Sequence, residues 1–129
     1  MFAVVASAEQ PQQKKDSKPA APVQEQAPPE EDEALVPKEY SFNPLQASKE
    51  ITAGNFYFKK GNYRAAAHRY EEATKWDATN AQAYLRLGEA REKQHDRKAA
   101  SAAYAKYLEI APDAKDAAEV RKRLDKLHK

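Results

Sequence analysis

An all-α fold of two stacked helix-turn-helix repeats, closed by a C-terminal helix and preceded by a disordered tail, is predicted by three observations. The sequence matches itself at one offset: Gly54 aligns with Gly88, Ala66 with Ala100, Tyr70 with Tyr104 and Trp76 with Ile110, each pair 34 residues apart. From residue 41 onward the apolar side chains recur at i, i+3, i+4 and i+7, one face of a helix. The composition, 33% charged with a modest aliphatic content, leaves Ala, Tyr and Leu to build the core, which suits helices packed closely through small residues.

The elements follow in order. Residues 1–8 read as the end of a truncated secretory signal peptide, with Ala6-Ser7-Ala8 in the small-x-small form that signal peptidase cuts. Residues 9–40 are rich in Pro, Gln, Ala, Glu and Lys. With few large apolar side chains they cannot offset chain entropy, so a disordered linker is expected. Order is expected from Ser41, with Asn43 as N-cap, Pro44 at the first helical position and Gln46 reaching back as in a capping box. The first helix runs to about Lys59 or Lys60, and Gly61 supplies a left-handed exit.

Asn62 caps a second helix, about Tyr63 to Trp76, with Tyr63, Ala66, Ala67, Tyr70, Ala73 and Thr74 on one face. Asn80 caps a third, about Ala81 to Lys93, presenting Tyr84, Leu85, Leu87 and Gly88. A fourth, about Asp96 to Ile110, presents Ala99, Ala100, Ala103, Tyr104, Tyr107 and Leu108, and Pro112 closes the unit. The repeats are placed at about 47–80 and 81–114. Asp113 is expected to cap a closing helix, about 113–128, with Ala117, Val120, Leu124 and Leu127 inward and Lys115, Arg121, Lys122, Arg123 and Lys126 outward.

Gly54 and Gly88 each fall inside a helix, where glycine costs roughly 1 kcal/mol relative to alanine. A cost repeated at matched positions implies a close helix crossing, and Ala66 and Ala100 are the expected facing residues. Tyr70 and Tyr104 are expected to fill the space between helices, and Trp76 and Ile110 to seal adjacent pairs. The second copy departs from the first at Arg91 for Tyr57, His95 for Gly61 and Tyr107 for Ala73. These changes predict a less apolar face, a harder turn and a final helix that packs less regularly, with Tyr107 against Val120 or Leu124.

Charge is divided along the chain. Residues 1–40 hold four Lys and eight Asp or Glu, a net of −4, and residues 41–129 hold 18 basic and 12 acidic residues, a net of +6. The simple reading is a solvated surface and a self-repelling linker. The sharper one is that the acidic stretch screens a basic face until an acidic partner displaces it, with attraction falling as salt rises.

Chemistry is not indicated. The chain has no cysteine, which removes disulfides, thiolate metal sites and thiol nucleophiles together. His68, His95 and His128 have no partners at a metal spacing, and no metal or cofactor is expected. Glu71 and Glu72 are adjacent on a helix and diverge by about 100°, so they cannot work one bond together. Three glycines in all leave no phosphate-cradling loop. Ser41, Ser48 and Ser101 lack a nucleophile turn. Arg121-Lys122-Arg123 point in successive directions with no interleaved aromatic, which reads as a solvated helix end and not a nucleic-acid patch. No apolar run reaches the ~18–20 residues of a membrane span.

The run from Gly54 to Ala73, with Gly61-x-Tyr63 and Ala66-x-x-x-Tyr70-x-x-Ala73 on the 34-residue period, resembles the tetratricopeptide repeat family. That resemblance implies a non-catalytic scaffold whose groove is lined by the first helix of each pair. The residues it places there are Ser48, Ile51, Asn55, Phe58 and Lys59, with Gln82, Leu85, Glu89, Glu92 and Lys93 in the second repeat. Ile51, Phe58 and Leu85 would give a partner segment apolar contact, while Asn55, Gln82 and Glu89 would hold its backbone or charges. In the subgroup that clamps a C-terminal carboxylate, Asn55 matches but Ile51 stands in place of the lysine.

Residues 55–66 also resemble the opening repeat of the BamD-like outer-membrane assembly lipoproteins, which implies a bacterial envelope setting. The chain lacks the lipid-bearing cysteine of that family. The expected function is therefore an exported, periplasmic or envelope adaptor that binds a protein or peptide segment. The alternatives are a self-associating homo-oligomeric module of a larger assembly and a cytoplasmic setting.

Overall fold

The computed structural model describes residues 39–129; the expectations for residues 1–8, and for the linker up to residue 38, lie outside them. Five helices follow one another: α1 (Pro44–Lys59), α2 (Tyr63–Trp76), α3 (Ala81–Lys93), α4 (Arg97–Ile110) and α5 (Ala117–Leu127). Consecutive helices pack on one another, and α1 also touches α3. Hairpins α1–α2 and α3–α4 thus stack side by side, with α5 against the second.

The ends of the helices are set locally. The side chains of Asn43, Asn62, Asn80 and Asp96 accept the amides of Gln46, Ala65, Ala83 and Ala99 at 3.0, 3.1, 3.2 and 3.1 Å, satisfying N–H groups that lack a helical partner. The capping box does not form. The Asn43 amide donates to the Trp76 carbonyl at 2.9 Å, and Gln46 instead donates from Nε2 to Glu50 at 3.1 Å. Asp113 does not cap α5: that helix starts at Ala117 behind Asp116, which makes no side-chain cap bond. The Asp116 carboxylate is taken by the Tyr107 hydroxyl instead.

Small residues bring the helices together. Ala47, Ala66, Ala67, Ala73, Ala83, Ala90 and Ala100 have no exposed surface, and Tyr70 and Tyr104 are the largest fully buried side chains. Both helical glycines are buried, and the nearest atoms at each belong to a tyrosine ring. A β-carbon on Gly54 would stand 2.4 Å from the Tyr70 ring, and one on Gly88 would stand 2.5 Å from the Tyr104 ring. Each glycine is the seat of the ring that the partner helix inserts, 16 residues on.

Tyr107 packs in the cluster that contains Leu85, Ala100, Tyr104 and Val120, with Leu124 and Leu127 alongside. Tyr40, counted with the linker by sequence, belongs to the fold. Its ring meets Trp76 edge-on at 4.9 Å, and its hydroxyl donates to Glu72 at 2.7 and 2.9 Å. Two buried carboxylates are paired: Glu50 takes Arg69 at 3.1 Å, and Glu72 takes the Tyr40 hydroxyl. Glu71 and Glu72 do diverge, since Glu71 reaches Arg91 of α3.

Candidate functional site

An open groove of about 450 Å³ crosses α1, α3 and α5, lined by Phe58, Arg86, Glu89, Glu92, Lys93 and Arg123. Helical spacing explains the α3 wall, because Arg86, Glu89 and Lys93 recur at i, i+3 and i+7 and so share a face. Phe58 is half-buried and holds its place through an edge-on contact with Tyr63, centroids 5.0 Å apart. The Arg86 guanidinium lies over Phe58 at 4.8 Å and over Tyr70 at 5.7 Å. A planar cation on an aromatic face is attracted by the ring quadrupole.

The polar groups form two linked sets. In the first, Asn55 Oδ1 accepts from the Tyr70 hydroxyl at 2.6 Å and from Arg86 Nε at 3.1 Å, and Arg86 Nη1 donates to Glu89 at 2.5 Å. In the second, Tyr104 donates to Glu92 Oε1 at 2.6 Å, and Arg123 Nη1 approaches Tyr104 Oη at 3.3 Å and Glu89 Oε2 at 3.4 Å. Burial raises the Tyr104 hydroxyl pKa above the ordinary tyrosine value, the Glu92 bond adds to this, and Arg123 opposes it. Burial raises that of Tyr70 as well, with Arg86 pulling it down. Both hydroxyls therefore stay protonated donors at neutral pH.

Of the residues expected in the groove, Phe58, Glu89, Glu92 and Lys93 line it, and Asn55 joins it through Arg86. Leu85 does not: it is 7% exposed and sits in the core with Tyr104 and Val120. One residue's shift around the helix separates it from Arg86, and the core claims the apolar one. Ile51 is half-buried against two core clusters that the first hairpin shares with α3. Ser48 and Lys59 are exposed on α1, and Gln82 lines a second, larger trough beside α5.

Arg86 and Arg123 were missed. The i, i+3, i+7 spacing with Glu89 and Lys93 carried the signal for Arg86. Arg123 was assigned outward with its neighbours; it is half-buried because α5 lays it across Glu89 and Tyr104. Among the described residues no group of three His, Asp or Glu side chains is placed to hold a metal ion. No described helix is long and apolar enough to cross a membrane.

Comparison with known proteins agrees with this architecture. Residues 54–94 match the family described as TPR repeat, and residues 81–114 match the one described as tetratricopeptide repeat. Among solved structures, the Arabidopsis OM64 TPR domain is similar, with 30% identity over 65% of this chain and 69% of that chain, at a TM-score of 0.59. No curated protein matches the sequence. Its matched repeats, its helix order and this structural likeness place the chain in the tetratricopeptide repeat family.

Proposed function

We propose that the chain is a non-catalytic adaptor that holds a segment of a partner protein in the groove across α1, α3 and α5. The observation that carries this is the groove's lining. One apolar ring, Phe58, lies among five charged side chains, of which Arg86, Glu89, Glu92 and Arg123 are tied by bonds to Asn55, to Tyr104 and to each other, while Lys93 lies over the Tyr63 ring at 5.9 Å. Such a surface is preorganised, so little side-chain freedom is lost when a segment binds.

An exported, envelope setting is part of the proposal. It is supported by Ala6-Ser7-Ala8 and by the resemblance of residues 55–66 to BamD-like proteins. The test is affinity capture from an envelope fraction with the full chain and with Phe58→Ala. Capture of one protein by the parent, reduced at least about tenfold in the variant with unchanged helicity by circular dichroism, is the expected result. Equal capture by both removes the groove from the function. Recovery of the chain from the cytosolic fraction removes the envelope setting alone.

A second reading is favoured by one observation. Phe42 and Leu45, at the start of α1, are 72% and 69% exposed. Large apolar side chains at the open end of a repeat stack suit end-to-end self-association within a larger assembly. Sedimentation across a concentration series separates the readings, because a constant monomer mass excludes self-association.

A further inference from the structure

Arg123 is shared between the groove and a wider trough of about 1000 Å³, bounded by Gln82 of α3, Tyr107 of α4 and one side of α5. Its cations are Lys115, Lys122, Arg123 and Lys126, and its carboxylates are Asp116 and Glu119. Both carboxylates are engaged within the domain: Asp116 accepts the Tyr107 hydroxyl, and Glu119 lies 3.7 Å from Arg123. The side chains of Lys115, Lys122 and Lys126 are exposed and make no ion pair or hydrogen bond among the described residues. The trough thus presents three ammonium groups without an ion pair, and its lining of four cations and two carboxylates carries a net charge of +2.

We propose that this trough binds the acidic run Glu30, Glu31, Asp32 and Glu33 of the same chain. That run is the longest stretch of consecutive carboxylates in the sequence. The chain also enters the domain at the right end. Tyr40 packs on Trp76, the last residue of α2, and Asn43 bonds the Trp76 carbonyl. Only the turn 77–80 separates Trp76 from α3, whose second residue, Gln82, forms the near wall of the trough. Six residues lie between Glu33 and Tyr40, so seven chain steps give an extended reach of roughly 25 Å.

Each exposed pair is weak, but a tethered segment acts at an effective concentration on the order of millimolar, so modest attraction suffices. Because these charges face water, the attraction is screened beyond about 8–10 Å at ordinary salt and falls as salt rises. The docked run holds Lys122 and Lys126 against any free acidic segment, which has to compete with it.

The absence of cysteine allows a single nitroxide label to be placed on the full-length chain at Ala34→Cys. Amide signals of the nitrogen-15-labelled protein are then read at low and high salt. The expected result is loss of more than about half the intensity at Lys115, Lys122 and Lys126, with Asn62 and His68 unaffected. Intensity returns at about 0.5 M salt. It also returns when Glu30→Gln, Glu31→Gln, Asp32→Asn and Glu33→Gln are combined.

Even broadening over the domain, or broadening that survives neutralisation of the run, overturns the proposal. So does equal broadening when label and nitrogen-15 are on different molecules, which assigns the contact to a second copy. An added oligoglutamate peptide that shifts the three lysine signals no less in the parent than in the neutralised chain puts the occupant in another protein and overturns it too. The readout needs no partner, so it stands or falls apart from the groove's proposed role.

Discussion

In the first hairpin the hydroxyl of the buried tyrosine, Tyr70, donates to an amide, Asn55; in the second, that of Tyr104 donates to a carboxylate, Glu92. The rings themselves are placed alike, each fully buried and pressed on a glycine 16 residues earlier. The turns repeat this division. Gly61 exits α1 at φ +80, and His95 exits α3 at φ +64 with a side chain that disfavours it. Yet the bonds match: Gly61 to Phe58 and Asn62 to Tyr57 in one, His95 to Glu92 and Asp96 to Arg91 in the other, all at 2.9 Å. Close packing of ring on glycine tolerates no alternative, whereas a hydroxyl at the rim accepts any nearby acceptor. The backbone path is conserved between the copies, and the polar chemistry on it is not.

The largest test of that comparison is removal of each ring. Tyr70→Ala and Tyr104→Ala are each expected to lower stability by about 3–5 kcal/mol, read from urea unfolding midpoints. Losses that differ by more than about 2 kcal/mol would show that the hydroxyl partners, and not the shared ring seat, dominate. Next in size, Gly54→Ala and Gly88→Ala gain helix propensity but drive a β-carbon into the ring. Overpacking of this kind costs about 1–3 kcal/mol, so both are expected to destabilise, and by similar amounts. A stabilised variant would mean that the ring moves aside freely.

The turns should respond with opposite signs. His95→Gly relieves a left-handed residue and is expected to stabilise by roughly 0.5–1 kcal/mol once the unfolded chain's added freedom is subtracted. Gly61→Ala, at a φ of +80 with open space around it, should destabilise by about 1 kcal/mol through backbone strain alone. The same thermal or urea measurement checks both.

The smallest effect lies in alkali. The bond to Asp116, with burial, pushes the Tyr107 hydroxyl pKa up to about 12 from an ordinary 10. A folded state that keeps this proton longer than the unfolded state binds more protons between those values, so stability is complete below pH 10 and declines as pH rises toward 12. Tyr107→Phe should flatten this part of the stability profile. An unchanged slope would place the alkaline loss at the other tyrosines bonded to a carboxylate, Tyr40 on Glu72 and Tyr104 on Glu92.

Much of this was legible in the residue pattern. The 34-residue period, the asparagine and aspartate caps at Asn43, Asn62, Asn80 and Asp96, and the left-handed Gly61 are local or repeated signals, and the helix bounds followed from them. Where competing short-range partners existed, pattern misled. Gln46 found Glu50, the Asn43 amide found a carbonyl 33 residues away, and Asp116 displaced Asp113 at the head of α5. The groove was half legible. Leu85 and Arg86 are adjacent on one helix, and only the position of α4 and α5 settles which of them turns inward.

The amino-acid sequence by itself determined that this chain forms capped helices in two matched hairpins, because capping, helical period and glycine placement act within a few residues or repeat at a fixed offset. The tertiary structure alone decided that the Tyr70 and Tyr104 rings press directly on the two helical glycines. It alone brought Arg123 to Glu89 across 34 residues and laid three unpaired lysines along one trough. Those outcomes depend on how rigid helices cross, and a crossing angle is a sum over many side-chain contacts that no short stretch of residues contains.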